Sequence, residues 1–231
     1  MAHARARDAV HLPFNADALE ASLQASGFTT VRVRSQAAGR SEYLRRPDLG
    51  RRLHPGCRAL LRPPGPVPAP VSLPSHGPAH RLTVVIGDGL SSLAPSRHAL
   101  PLLLELRAQL DRPGSPAWLL DSVVIASEAR VALADEVGEL RGAEAVAMLL
   151  GERPGLSSPD SLGVYLTYAP RRGRSDAERN CLSNVRAGGL SYAEAAYKLL
   201  FLLDRARSAG QSGVAIKDDS DWPASQPAPW R

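Results

Sequence analysis

Few residues in this chain have the type and placement for chemistry, and each admits a plain alternative. Glu152 directly follows an apolar run, "AEAVAMLL" (143–150), and opens the stretch "GERPGLSSPDSLGVYLTYAP" (151–170). A carboxylate at the very end of a buried strand either pairs with a nearby arginine such as Arg153 or accepts hydrogen bonds from a ligand's donors. Cys181, in "RNCLSN", is a nucleophile only if a base from the N-terminal segment reaches it; otherwise it is a small buried or ligand-packing thiol. Asp88, in "GDGLSS" (87–92), either caps the following turn or serves a ligand. The histidines, at positions 3, 11, 54, 76, 80 and 98, all lie in the N-terminal half, and none shows zinc-ligand spacing with Cys57 or Cys181. "GDGLSS" lacks the G-x-G-x-x-G spacing of a dinucleotide fingerprint, and no phosphate loop of the G-x-x-x-x-G-K type occurs.

These residues sit in a chain of 231 residues, enough for one large domain or one domain with a small companion. With 44% hydrophobic residues but 5% aromatics, the core must be mostly Leu, Val and Ala. Only Lys198 and Lys217 among the 28 basic residues are lysines, which reads as genomic base-composition bias rather than function. Charge is unevenly distributed. Residues 1–62 hold 11 Arg against 5 acids, whereas residues 63–231 hold 17 basic groups against 18 acids. The basic excess could meet nucleic acid, phosphate or an acidic partner surface, but it has no interleaved aromatics beyond Tyr43 and matches no standard nucleic-acid module, which disfavours nucleic acid. The two cysteines make no disulfide framework. With neither a charged-then-apolar leader nor a long apolar run, a reduced, cytosolic setting is expected.

The elements that must position these residues follow from periodicity. "NADALEASLQASG" predicts a helix with Asn15 as N-cap and Gly27 as its stop, and "FTTVRVRS" a half-exposed strand. Seven prolines in "PPGPVPAPVSLPSHGP" mark residues 63–78 as an extended linker. Beyond it, "RLTVVIG" (81–87), "AWLLDSVVIA" (117–126), "AEAVAMLL" (143–150) and "GVYLTYA" (163–169) read as strands. "ARVALAD" (129–135) and "GVAIK" (213–217) are weaker strand candidates. "PSRHALPLLLELRAQL" (95–110), with a kink or late start at Pro101, "DEVGELRG" and "SYAEAAYKLLFLLDRARSAG" (191–210) read as helices. Ser191 with Glu194 suggests a capping box. Residues 218–231 form an acidic, then Pro-rich tail, expected to be flexible.

Strands alternating with helices imply a parallel α/β sheet with right-handed crossovers. Ligands in such sheets bind beyond the carboxyl ends of the strands. Loops beginning at such ends are expected at 87–92, 151–158 and 170–189, so this edge is a candidate ligand site.

The segments "SEYLRRPDLGRRL" (41–53), "VVIGDGLSS" (84–92), "RVALADEVGEL" (130–140), "GERPGLSSPDSLGVYLTYAPRRGRSDAERNCLSNVRAGGLSYAEAAYKL" (151–199) and "SGVAIK" (212–217) together resemble the small (light) subunit family of ethanolamine ammonia-lyase. The resemblance spans about residues 3–217, and the 151–199 block is highly specific. It implies a Rossmann-like α/β cobalamin-binding domain (79–217), with a mostly parallel sheet flanked by helices, after a smaller α-rich N-terminal segment (1–62). Relatives begin further upstream, so this segment is expected to be shortened. The family resemblance further implies a large barrel subunit as partner, with adenosylcobalamin between the two chains, and conversion of ethanolamine to acetaldehyde and ammonia. Cofactor contacts fall, by motif, on Val131, Glu152 and Cys181. Glu152 would accept from corrin amides, Val131 and Cys181 would pack, and Gly151 and Gly155 would let main chain approach.

In this family cobalt–carbon homolysis generates the radical that abstracts substrate hydrogen, so no catalytic residue and no metal ligand is expected in this chain, which should be inactive alone. The family also allows enclosure in a bacterial microcompartment. The basic N-terminal excess is assigned to the large-subunit interface. Competing expectations are a truncated, non-catalytic relative kept for binding or assembly, and a stand-alone α/β enzyme using Cys181.

Overall fold

The structure, a computed structural model, describes residue 10 and residues 12–62, 80–115, 117–155 and 160–222. The expected linker at 63–78 and the tail beyond 222 thus fall wholly outside the described residues. Strands β1 (Thr30–Arg34), β2 (His80–Gly87), β3 (Trp118–Ser127), β4 (Ala145–Gly151), β5 (Leu162–Tyr168) and β6 (Asn180–Val185) form one six-stranded sheet in the order β1-β3-β2-β4-β5-β6. The helices are α1 (Ala16–Ala25), α2 (Arg40–Arg45), α3 (Pro47–Gly50), α4 (Arg58–Leu61), α5 (Leu93–Leu110), α6 (Leu133–Arg141) and α7 (Tyr192–Ala209). The fold is therefore α/β, and β1 ties residues ahead of the Pro-rich stretch into the same sheet, with Thr30 opposite Val123.

The expected parallel arrangement holds for β1, β3, β2 and β4 but not beyond. β5 runs antiparallel to β4, and β6 antiparallel to β5, so the sheet is mixed. The cause is length. A parallel return needs a crossover of about a dozen residues or more, usually a helix, and residues 152–161 are too few to provide one. The loop after β5 therefore starts at the opposite edge from those after β2 and β4, which corrects the expected convergence of three loop origins.

Local signals explain most boundaries. Asn15 Oδ1 accepts from the Ala18 N–H at 3.0 Å, and Ser191 caps α7 by accepting from the Glu194 N–H at 3.2 Å. Gly142 and Gly210 close α6 and α7 with φ of 62° and 69°, a conformation glycine adopts without strain. Helix α5 starts at Leu93 and runs through Pro101. The two weaker strand candidates are not strands. Residues 129–132 form a turn leading into α6. Near the C-terminus, Gly213 has φ of 96°, which breaks extension. That segment is held instead by the Asn180 side chain, which accepts from the Gly213 N–H at 2.8 Å and donates to the Ile216 carbonyl at 2.7 Å.

Two apolar clusters flank the sheet. On one face α1, α5 and α7 pack on Leu82, Val84, Ile86, Leu149, Val164, Leu182 and others. On the other, Leu133, Ala134 and Val137 of α6 join Leu53 and Leu61 over Val85, Val124, Val146 and Met148. Each fully buried Leu, Val or Met contributes about 1.5–3 kcal/mol. Cover on this second face thins beyond β4: Tyr165 is half-buried, and Cys181 and Ser183 are exposed. Among the described residues no helix is long and apolar enough to cross a membrane, and no group of His, Cys, Asp or Glu is arranged to hold a metal.

Candidate functional site

A cavity of about 600 Å³ opens where that cover ends. The carboxyl ends of three parallel strands reach it: Gly89 and Leu90 after β2, Arg130, Val131 and Ala132 after β3, and Gly151 at the end of β4 with Glu152 and Arg153 after it. Tyr165 of β5 and Cys181 of β6 form its floor, directly opposite each other in the sheet register. Val131, Glu152 and Cys181 thus line one hollow, although they lie far apart in the chain. Val131 does not open a strand; it sits in the turn before α6, where its carbonyl accepts from the Ala134 N–H at 3.1 Å.

Glu152 makes no ion pair with Arg153 among the described residues. Its Oε2 accepts from the Ser161 hydroxyl and from the Asn184 N–H, the latter at 3.3 Å. Its own N–H donates to the Ser161 carbonyl at 2.9 Å. Asn184 can aim its N–H this way because it holds a left-handed φ of 60°, which asparagine tolerates better than most residues. Gly163 completes the seat, since a Cβ there would lie 3.0 Å from Glu152 Oε1. Both hydrogen bonds fall on Oε2, leaving Oε1 as a further acceptor.

Cys181 is exposed to the cavity. Desolvation by its walls and then the charge of Glu152 push the thiol above its ordinary pKa. Burial likewise raises the Tyr165 phenol, with Cys181 and Glu152 adding to it. Both groups stay protonated at neutral pH. Among the described residues no histidine lines the cavity. A thiol without a base and with a raised pKa is a poor nucleophile, so the geometry favours the packing reading of Cys181 over catalysis.

Asp88 takes the structural side of its alternatives. It is buried, receives Arg40 Nη1 at 3.0 Å and the Ala129 N–H at 3.0 Å, and is pushed up to about pKa 7, first by burial and then by the charge of Glu128. Arg40 also donates to the Gly89 carbonyl at 2.8 Å, and Tyr43 is buried between the Arg40 and Arg130 guanidinium groups, 4.9 and 4.7 Å from its ring centre. The crevice at the ends of β2 and β3 is therefore filled by the N-terminal segment, which displaces the open hollow toward β4–β6. Gly151 serves this interlock rather than a ligand. A Cβ on it would come within 2.0 Å of the Ser91 carbonyl oxygen, and one on Gly89 within 2.2 Å of the Gly151 carbonyl oxygen.

Among the lining residues that sequence reasoning missed are Arg51, Arg130, Tyr165 and Arg179. Tyr165 carried a signal, its place in the alternating run 163–169. Arg179 carried none, because its bidentate bond to Asp135 of α6, at 2.5 and 2.7 Å, joins residues that only the fold brings together.

Comparison with known proteins bears on the same segments. The family model described as ethanolamine ammonia-lyase light chain matches residues 1–217. The ethanolamine ammonia-lyase small subunit of Azotobacter vinelandii is 51% identical over 220 residues, covering 95% of this chain and 77% of that protein. That of Pseudomonas syringae pv. tomato is 50% identical over 219 residues, 95% of this chain and 72% of the relative. That of Xanthomonas campestris pv. campestris (strain B100) is 51% identical, covering 99% of this chain and 82% of its own. The matched region contains every residue that lines the cavity. The chain belongs to the ethanolamine ammonia-lyase light-chain family.

Proposed function

We propose that this chain is the small subunit of an ethanolamine ammonia-lyase and forms one side of an adenosylcobalamin site against a large barrel subunit. The observation that carries this reading is the meeting of Val131, Glu152 and Cys181 in one cavity. The residues suit the group. A corrin ring bears amide side chains that donate hydrogen bonds, and Glu152 offers a carboxylate whose position is fixed while Oε1 remains open to a donor. Val131 and the neutral Cys181 thiol give weakly polar surface for packing against the macrocycle. Cavities for drug-sized ligands run roughly 300–1,000 Å³, so a hollow of about 600 Å³ takes part of a larger corrinoid and leaves the rest to a partner. The adjacent parallel strands β3, β2 and β4 bring their carboxyl ends to this place, as a Rossmann-like domain would.

Bound adenosylcobalamin would supply a carbon-centred radical by cleavage of its cobalt–carbon bond. The work of this chain is to bind, orient and shield. Glu152 would accept from the amides of a bound corrin and so help to orient it. Cys181 and Tyr165, both protonated, offer no thiolate or phenolate to a reactive species nearby. Among the described residues that line the cavity, the thiol and phenol are both held protonated, and the proposed role needs the partner subunit for turnover. A cytoplasmic setting, within or outside a protein-shelled microcompartment, keeps Cys57 and Cys181 reduced.

The test is reconstitution. Ammonia release from ethanolamine is expected only when this chain, the large subunit and adenosylcobalamin are combined. Turnover by this chain alone, or by the large subunit without it, would sink the reading.

A further inference from the structure

Among the described residues, the four arginines lining the cavity are of two kinds. Arg179 is neutralised: it is buried, bonded to both oxygens of Asp135, and within 3.2 Å of Asp176. Arg51 and Arg153 are exposed, and their side chains have neither hydrogen bond nor ion pair among the described residues. Arg130 donates from Nη2 to the Tyr43 carbonyl at 3.3 Å and stacks on the Tyr43 ring, but has no carboxylate partner among the described residues. Its Nε is buried without a partner. The backbone brings two of these cations together. The Arg130 N–H donates to the Gly50 carbonyl at 2.9 Å, and a Cβ on Gly50 would stand 3.1 Å from Arg130 Cγ, so Arg51 emerges beside Arg130. Of the carboxylates in the lining, Asp176 faces Arg179, which leaves Glu152 as the lining carboxylate outside any ion pair.

Like charges gathered in a partly enclosed hollow repel each other more strongly than they would in open water. A bound anion relieves that repulsion, and guanidinium groups match phosphate oxygens in paired hydrogen bonds. We propose that Arg51, Arg130 and Arg153 form an anion subsite at the cavity mouth that takes a phosphodiester group of the ligand. This assignment rests on the corrinoid reading above, since cobalamin carries one phosphodiester, in the loop linking its nucleotide to the ring. Glu152 and the arginines then divide the ligand between them, the carboxylate taking the amide-fringed ring and the guanidinium groups the anionic loop.

The test measures equilibrium binding to the complex with the large subunit, using two probes: cyanocobalamin, and cobinamide, the same corrin without the nucleotide loop. Arg51 and Arg153 are exposed, so the double variant Arg51→Ala/Arg153→Ala does not threaten the fold. It is expected to raise the Kd for cyanocobalamin by about tenfold to a hundredfold. The Kd for cobinamide should stay within about twofold of wild type, as for a probe lacking the contacted group. Inorganic phosphate should compete with cyanocobalamin in the wild type and not in the variant. Equal losses for both probes overturn the assignment. So does weakened subunit association with cyanocobalamin affinity intact, which would give the arginines to a carboxylate surface of the large subunit. A wild-type complex that binds neither probe overturns the corrinoid reading itself, and this assignment with it.

Discussion

The two faces of the sheet are finished differently. On the face of α5 and α7, apolar cover extends to the last strand, where Leu182 and Val185 are buried. On the face of α6 it stops near β4, and Tyr165, Cys181 and Ser183 are left half-buried or exposed. The same strands carry both faces, so strand composition alone is not the cause. Helices cover a sheet when crossovers carry the chain from one parallel strand to the next. After β4 the next strand pairs antiparallel, and among the described residues no crossover helix lies between β4, β5 and β6. A further parallel strand would have put a helix over the hollow. The candidate site lies where the winding stops.

This contrast can be broken from either side. The largest effect is expected at the closed wall of the cavity. Asp135→Asn removes the buried counter-charge of the Arg179 guanidinium and leaves it only the exposed Asp176, and loss of one member of a buried ion pair costs about 3–5 kcal/mol. Urea denaturation of the isolated chain checks this. Next is the interlock behind the cavity. Gly151→Ala sets a methyl group against two main-chain carbonyl oxygens, of Ser91 and Asp88, and should cost about 2–3 kcal/mol by the same measurement.

Asp88 gives a smaller, pH-dependent effect. Its folded pKa of about 7 exceeds the ordinary 3.8. Below about pH 4 both folded and unfolded chains hold that proton. Between there and neutrality the folded chain keeps a proton that the unfolded chain has released. Stability from this group therefore falls as pH rises through that window and is lost near pH 7. Asp88→Asn should flatten the slope of the urea midpoint over the same range; an unchanged slope would assign it elsewhere. The smallest effect on folding belongs to the open side. Glu152→Ala should shift stability by less than about 0.5 kcal/mol, as at other partly exposed positions, while weakening cobalamin binding by the complex at least about tenfold. A large loss of stability here would erase the distinction between the two faces.

Much of this was legible in the residues. β2 and β4 are continuous apolar runs, and α7 has a serine cap and a terminal glycine, so local chemistry decided them. The direction of β5 was not, because an apolar run looks the same whichever way it runs; the shortness of 152–161 was the available clue. β6 was hidden because, as an edge strand, it buries only Leu182 and Val185. The specific 151–199 block pointed to Glu152 and Cys181. The Arg40–Asp88 and Arg179–Asp135 pairs join residues 48 and 44 positions apart, and no local pattern announces such partners.

The seat of Glu152 has a further consequence. Its carboxylate is gripped by groups from β6 and from the entry to β5, so its orientation is set as the protein folds. A ligand meeting it need not freeze a swinging side chain, and that entropic penalty is absent from the association step. Capture at this point should resemble a key entering a cut lock more than a hand closing, with arrival rates governed by diffusion and by whatever the partner subunit must rearrange.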